Sequence, residues 1–173
     1  MRIFEPRAQL DHMLRQTRNN LIAFSQMADT KAHILLSISS VLLSLSFTKI
    51  SERSFTLPLT GLDIFLLATI YFALLTVIGK VKVFNRRKHS IHDDDYNPLF
   101  FGNYGDVPYM EYAAHFEKIM NDPDETYEVI VKDIYHAGKY LLHTKYRYIR
   151  LAYLFFFAGL VVGIAIFILQ NSS

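Results

Sequence analysis

The sequence predicts an all-α integral membrane protein with three transmembrane helices, two of them continuous with long cytoplasmic helices that form a small helical bundle. Three observations carry this expectation. Apolar runs occupy residues 32–50, 62–79 and 151–169, and about 20 helical residues cross a hydrocarbon core about 30 Å thick. Apolar stripes at helical spacing lead into the first and third runs, and basic residues gather on one side of all three. A chain of 173 residues also has room for three buried helices of a soluble bundle, but charge-free runs of this length favour spans.

The first helix is the clearest. Leu10, Leu14, Thr17, Leu21, Phe24 and Ala28 alternate at spacings of four and three, and the stripe continues through Leu35, Ile38, Leu42 and Leu45, which makes one apolar face. No Pro or Gly interrupts residues 7–50, so one long helix is expected, cytoplasmic over residues 1–31 and spanning over 32–50. The polar stretch ahead of the run, with no small-residue cleavage site after it, argues against a cleavable signal peptide. Ser37, Ser39, Ser40, Ser44 and Ser46 give this span a partly hydroxylated surface.

Residues 51–61 read as an external loop. The second span, 62–79, holds Asp63 near its start, tolerable only if that end lies at the interface, and it is expected to overrun as helix to about Lys88. Residues 93–108 carry two Pro and two Gly among many aromatics and read as an ordered loop. Residues 109–120 form a short amphipathic helix with Tyr112, Phe116 and Ile119 on one side. Asp122 caps the next helix, with Pro123 at its first position and Glu125 at the third, able to reach back to the Asp122 amide. From there Tyr127, Ile130, Ile134, Ala137, Leu141, Tyr148 and Leu151 form a stripe running into the third span, 151–169. That span contains Gly159 and Gly163, four apart, a small-residue face for helix contact.

Charge sets the orientation. Arg2, Arg7, Arg15, Arg18 and Lys31 precede the first span, Lys80, Lys82, Arg86, Arg87 and Lys88 follow the second, and Lys139, Lys145, Arg147 and Arg150 lead into the third; only Lys49 and Arg53 lie at the opposite ends. The positive-inside rule then puts the N-terminus and residues 80–150 in the cytoplasm and the tail 170–173 outside. The formal net charge of +2 is small, but its concentration at the inner face favours anionic headgroups of the lipid bilayer.

Several chemistries are excluded. There is no cysteine, hence no disulfide and no thiolate ligand or nucleophile. A Gly-rich phosphate loop, a paired zinc motif and a nucleophile elbow are also missing, so the protein is expected not to be an enzyme and to need no cofactor. His89, His92, Asp93, Asp94 and Asp95 supply imidazole and carboxylate groups within seven residues, but such a run after a span is more often solvated, and no metal is expected. His136, Lys139, Tyr140 and His143 share a helix face above the inner leaflet. Arg147 and Arg150 read as snorkelling residues. Lys139, Lys145 and Tyr146 stand between that role and a phosphate site, because the opposite helix brings Asp29 and Lys31 to a similar height. Ammonium groups there would hold a phosphate, with aromatic rings stacking on a base.

Short motifs resemble a known family. The segment ADTKA at residues 28–32, followed by LLSI at 35–38, is similar to the signature opening the first span of the Pycsar transmembrane effectors. PLFFG at 98–102 with the helix starting at Tyr109 resembles that family's loop and short helix, and Lys145-Tyr146 resembles the pair preceding its last span. The resemblance runs from about residue 10 to residue 163. It implies an antiphage effector that responds to cyclic CMP or cyclic UMP, made by a cyclase on infection, by impairing the bacterial inner membrane and arresting or killing the cell. It also makes residues 80–150 a sensor region, so that ligand binds the helical bundle itself, between protomers of a homo-oligomer or within one. Asp29, Lys31, Phe101, Gly102, Lys145 and Tyr146 are the motif positions. Tyr104, His136 and Lys139 join them as candidate ligand-binding residues, with no nucleic acid as partner. Asp29 and Lys31 either contact ligand or pair with each other, and Phe100 and Phe101 either face ligand or fill the core. Alternative readings are a membrane effector responding to a cyclic oligonucleotide, or a scaffold recruiting a protein partner.

Overall fold

The structure, a computed structural model, describes residues 8–49, 53–78, 91, 93, 96–105 and 107–172. Every element among them is helical: α1 Ala8–Lys49, α2 Arg53–Ile78, a one-turn α3 Phe101–Tyr104, α4 Tyr109–Asn121, α5 Pro123–Tyr140, a π-helical segment Leu141–Tyr146 and α6 Arg147–Asn171. Three of the helices are long and apolar enough to cross a membrane, with candidate spans in Ala8–Lys49, Phe55–Ile78 and Pro123–Asn171. The all-α membrane class is therefore correct. The chain divides into two compact units, one of Met1–Phe24 with Lys80–Leu141 and one of Ser25–Gly79 with Leu142–Ser173.

The second of these is the apolar unit. On α1 the buried residues are Ala28, Ala32, Leu35, Ser39, Leu43 and Ser46, one helical face at spacings of three and four. Its core is a cluster of Ala32 and Leu35 from α1, Ala73 from α2, and Ile149 and Ala152 from α6, against which Phe72, Val77, Tyr153 and Phe156 pack. Large side chains such as Ile38, Val41, Leu67, Leu154 and Val161 point outward. A unit apolar outside and small inside suits a lipid surround, where helices associate by close approach.

Glycine provides that approach between α2 and α6. A Cβ on Gly159 would stand 2.5 Å from Phe65 Cβ, and one on Gly163 would stand 3.4 Å from Leu62 Cβ. Both glycines of the expected contact face thus meet α2 of the same chain. Aromatic rings lie along the same seam: Phe72 stacks on Phe155 at 5.2 Å, and Phe55 on Phe167 at 5.6 Å.

Two expectations for α2 change. Residues 53–61 are not a loop but the first turns of the helix. Pro58, the sixth residue of the helix, removes one intrahelical amide donor, and the Phe55–Phe167 stack holds the segment against α6. Asp63 consequently stands not at a helix end but about 12 Å along the helix from Phe55. It faces inward and accepts a hydrogen bond from Ser46 at 2.7 Å. The expected overrun to Lys88 lies outside the described residues.

The other unit is built on side-chain polarity. α4 lays Tyr112, Phe116 and Ile119 inward and packs on α5. Asp122 caps α5, its Oδ1 accepting from the amides of Asp124 at 3.0 Å and Glu125 at 3.3 Å. The expected return bond from Glu125 is replaced, because the Asp122 amide already donates to the Ile119 carbonyl at 3.3 Å. Tyr127 donates to Asp11 Oδ1 at 2.6 Å; that bond, and then burial, raises the phenol above its ordinary value of 10.0. Asp133 gathers Arg18 at 3.6 Å and the Asn97 amide at 2.9 Å, while Asn97 Oδ1 takes the Leu99 amide at 2.9 Å.

The π-helical segment alters the stripe read from the sequence. Beyond it the inward residues are Ile149 and Ala152, whereas Tyr148 and Leu151 are only half-buried. A π turn holds one more residue than an α turn, so the buried face advances by one position. Ahead of it Ala137 is exposed, and Gly138 comes near Leu21 instead.

The glycine contact predicts a measurable cost. Gly159→Ala forces a methyl against Phe65 and should destabilise the detergent-solubilised protein by about 1–3 kcal/mol, whereas Gly163→Ala, at ordinary contact distance, should cost much less. Thermal unfolding of both variants checks this ordering.

Candidate functional site

Two motif positions, Asp29 and Lys145, come together in the structure. The π-helical segment turns Lys145 inward, leaving it 9% exposed. Its ammonium donates to Asp29 Oδ1 and Oδ2 at 2.7 Å each and to Ser25 Oγ at 2.9 Å. Lysine has three protons, and all three are directed to this pair of side chains. Ser25 and Asp29 lie four residues apart on α1 and so share a face. Asp29 pairs with Lys145 rather than with Lys31, which points outward and is exposed. Tyr146, next to Lys145, is half-buried.

The alternative of a phosphate on Lys145 meets an obstacle here. A phosphate would have to displace a carboxylate that already neutralises the ammonium from both oxygens. The observed arrangement is a structural cross-link between α1 and the helix entering α6. Sequence reasoning missed Ser25; its signal was the i, i+4 spacing to Asp29.

The remaining candidates belong to the polar unit. Phe101 is 59% exposed and its neighbour Phe100 44%, the two rings 5.0 Å apart; neither fills the core. Gly102 leaves room for this arrangement: a Cβ there would meet the edge of the Phe100 ring at 2.5 Å, and that exposed ring would have to shift. Tyr104 is half-buried with its ring 5.2 Å from that of Tyr112. Tyr112 donates to the Pro98 carbonyl at 3.2 Å, which ties the loop to α4. Burial, then the neighbouring Tyr104, raises the Tyr112 phenol. Burial also raises Tyr96, followed by the effects of Tyr112 and Glu111. The Tyr96 hydroxyl is buried without a hydrogen-bond partner among the described residues, and its ring lies 5.6 Å from His115. His136, Lys139 and His143 are exposed. Of the histidine and aspartate run at 89–95, His89, His92, Asp94 and Asp95 lie outside the described residues, and no group of three metal-ligating side chains occurs among the described ones.

The aromatic loop, the inward lysine and the small-residue first helix agree with one further observation. The family model for the Pycsar effector protein domain, PycTM, matches residues 12–170. The chain belongs to the Pycsar effector family. No curated protein and no solved structure matches it. Membership supports a role as a membrane effector of antiphage defence. All three motifs from which the resemblance was read fall inside the matched region.

The cross-link predicts coupled energetics. Lys145→Met and Asp29→Asn should each destabilise the protein by about 1.5–3 kcal/mol, the range for hydrogen bonds to charged groups. The double variant should lose clearly less than the sum. Additive losses in a double-mutant cycle of unfolding would show that the two side chains do not act together.

Proposed function

We propose that this Pycsar effector senses cyclic CMP or cyclic UMP through its polar unit and responds by impairing the bacterial inner membrane, arresting growth or killing the infected cell. The family match over residues 12–170 carries this reading. The exposed aromatic pair Phe100–Phe101 supports it chemically, because a solvent-facing ring offers a stacking surface for a pyrimidine. Since Lys145 is engaged by Asp29, the phosphate falls to an exposed cation of the polar unit, Lys139, with His136 as a further donor.

The charge distribution supports a cytoplasmic N-terminus and an external C-terminus. The chemistry is binding, not catalysis. Ligand-induced repacking of the polar unit would pass into the spans along α1 and along the helix from Pro123 to Asn171, each of which carries residues of both units. A ligand shifts such an equilibrium by its differential affinity for the two packings. A homo-oligomer provides the wider perimeter that a leak through protein requires.

Calorimetric titration of the detergent-purified protein with cyclic CMP and cyclic UMP tests this, with cyclic AMP and a cyclic dinucleotide as controls. Saturable binding of one cyclic pyrimidine nucleotide is expected. Phe101→Ala should weaken it about tenfold, since base stacking on an aromatic ring contributes about 1–3 kcal/mol. Absence of binding by either pyrimidine nucleotide would overturn the ligand assignment, and an unchanged affinity in Phe101→Ala would remove that ring from the site.

A further inference from the structure

The apolar unit has a polar interior seam. On α1, Ser39 and Ser46 are 0% and 3% exposed; on α2, Thr69 and Thr76 are fully buried and Asp63 is 9% exposed. The residues between them, such as Val41, Leu45, Ile64 and Leu67, are large, apolar and outward-facing. Thr69 and Thr76 return their hydroxyls to the carbonyls of Phe65 and Phe72 in their own helix. Ser46 donates to Asp63 Oδ2. Ser39 Oγ and Asp63 Oδ1, however, are buried with no hydrogen-bond partner among the described residues.

Close packing alone does not require these groups. Alanine serves at Ala32 and Ala73 in the same interior, and a hydroxyl or carboxylate without a partner weakens the fold. An ionisable side chain within a span faces the bundle interior or a water-filled path, and it marks routes for ions. Lipid disordering, by contrast, would act through the outer surface and has no use for a polar interior.

Resting on the reading of the protein as a membrane-impairing effector, we propose that the seam between α1 and α2 is the wall of a cation path, closed in this packing and opened on activation. Asp63 is the selecting group, because a carboxylate at a constriction attracts cations and repels anions. Ser39 and Ser46 replace part of the ion's hydration shell.

The test uses the full protein in liposomes with a potassium chloride gradient and added cyclic pyrimidine nucleotide. The leak should pass potassium in preference to chloride. Asp63→Asn should lose that preference without changing the nucleotide concentration needed, and Asp63→Glu should keep it. A wild-type leak without charge preference, or an unchanged preference in Asp63→Asn, would overturn the proposal. The chain contains no cysteine, so Ser39→Cys and Ser46→Cys provide a second measurement that does not depend on altering Asp63. Both should react with a membrane-impermeant cationic thiosulfonate only when nucleotide is present, while Val41→Cys stays unlabelled. If both seam cysteines remain unlabelled in vesicles that leak, the path lies elsewhere. Absence of any leak from the wild-type protein with either nucleotide would instead defeat the effector reading itself, and this proposal with it.

Discussion

Lys145 and Asp29 meet at 2.7 Å where α1 and the π-helical segment join the apolar unit, and the packing below them depends on this contact. The gross attraction of two unit charges at that distance is about 6 kcal/mol at the effective dielectric of a protein boundary. Much of it is offset by removing the ammonium from water. What makes the pair worth keeping is its completeness, for the ammonium has an acceptor for each proton. Removing either partner leaves a charge at the edge of an apolar interior, which is worse than removing both. A cross-link of this kind sets the height of one helix against the other, something uniform apolar surfaces do poorly.

Below the pair, cohesion comes from shape. In lipid there is little hydrophobic drive between helices, because acyl chains are as apolar as leucine. The contacts that remain available are the close ones: Ala32, Ala73 and Ala152 at the three-helix core, and Gly159 against Phe65. The large residues lie outside for the same reason. In the polar unit the balance is reversed, and directional bonds such as Tyr127 to Asp11 and Asn97 to Asp133 take over. Loop residues 96–100 are held by hydrogen bonds to side chains and to α4, with Pro98 buried beside them.

Much of this was legible in the sequence. The absence of Pro and Gly across residues 7–50 predicted the unbroken helix described over Ala8–Lys49, and Asp122-Pro123 marked the start of α5 because cap chemistry is local. What was not legible involved partners distant along the chain. Residues 51–61 read as a loop; the contacts that accompany helix over the described part, Phe55 with Phe167 and Asp63 with Ser46, reach side chains on other helices. Likewise Asp29 has a cation two positions away in Lys31, yet it pairs with Lys145, 116 residues distant. Side chains two apart on a helix point in different directions, and that geometry decides against the nearer cation. Phe100 and Phe101 were ambiguous because hydrophobicity alone cannot tell a core ring from a displayed one.

The π-helical segment explains why these pieces hold together. An uninterrupted α-helical stripe through Leu141 would bring Tyr148 and Leu151 to the inner face. The extra residue in the π turn brings Ile149 and Ala152 there instead. Ala152 is small enough to lie within one cluster with Ala32 and Ala73, and Tyr148 is displaced to the Phe72 ring at 6.5 Å. The same local widening turns Lys145 inward to Asp29. A π turn is rare and occurs mostly as a single turn inside an α-helix, where its surroundings have to stabilise it. Here the ion pair and the alanine cluster both do so. Each in turn requires the π turn, which makes the entry of α6 a single cooperative arrangement rather than three separate contacts.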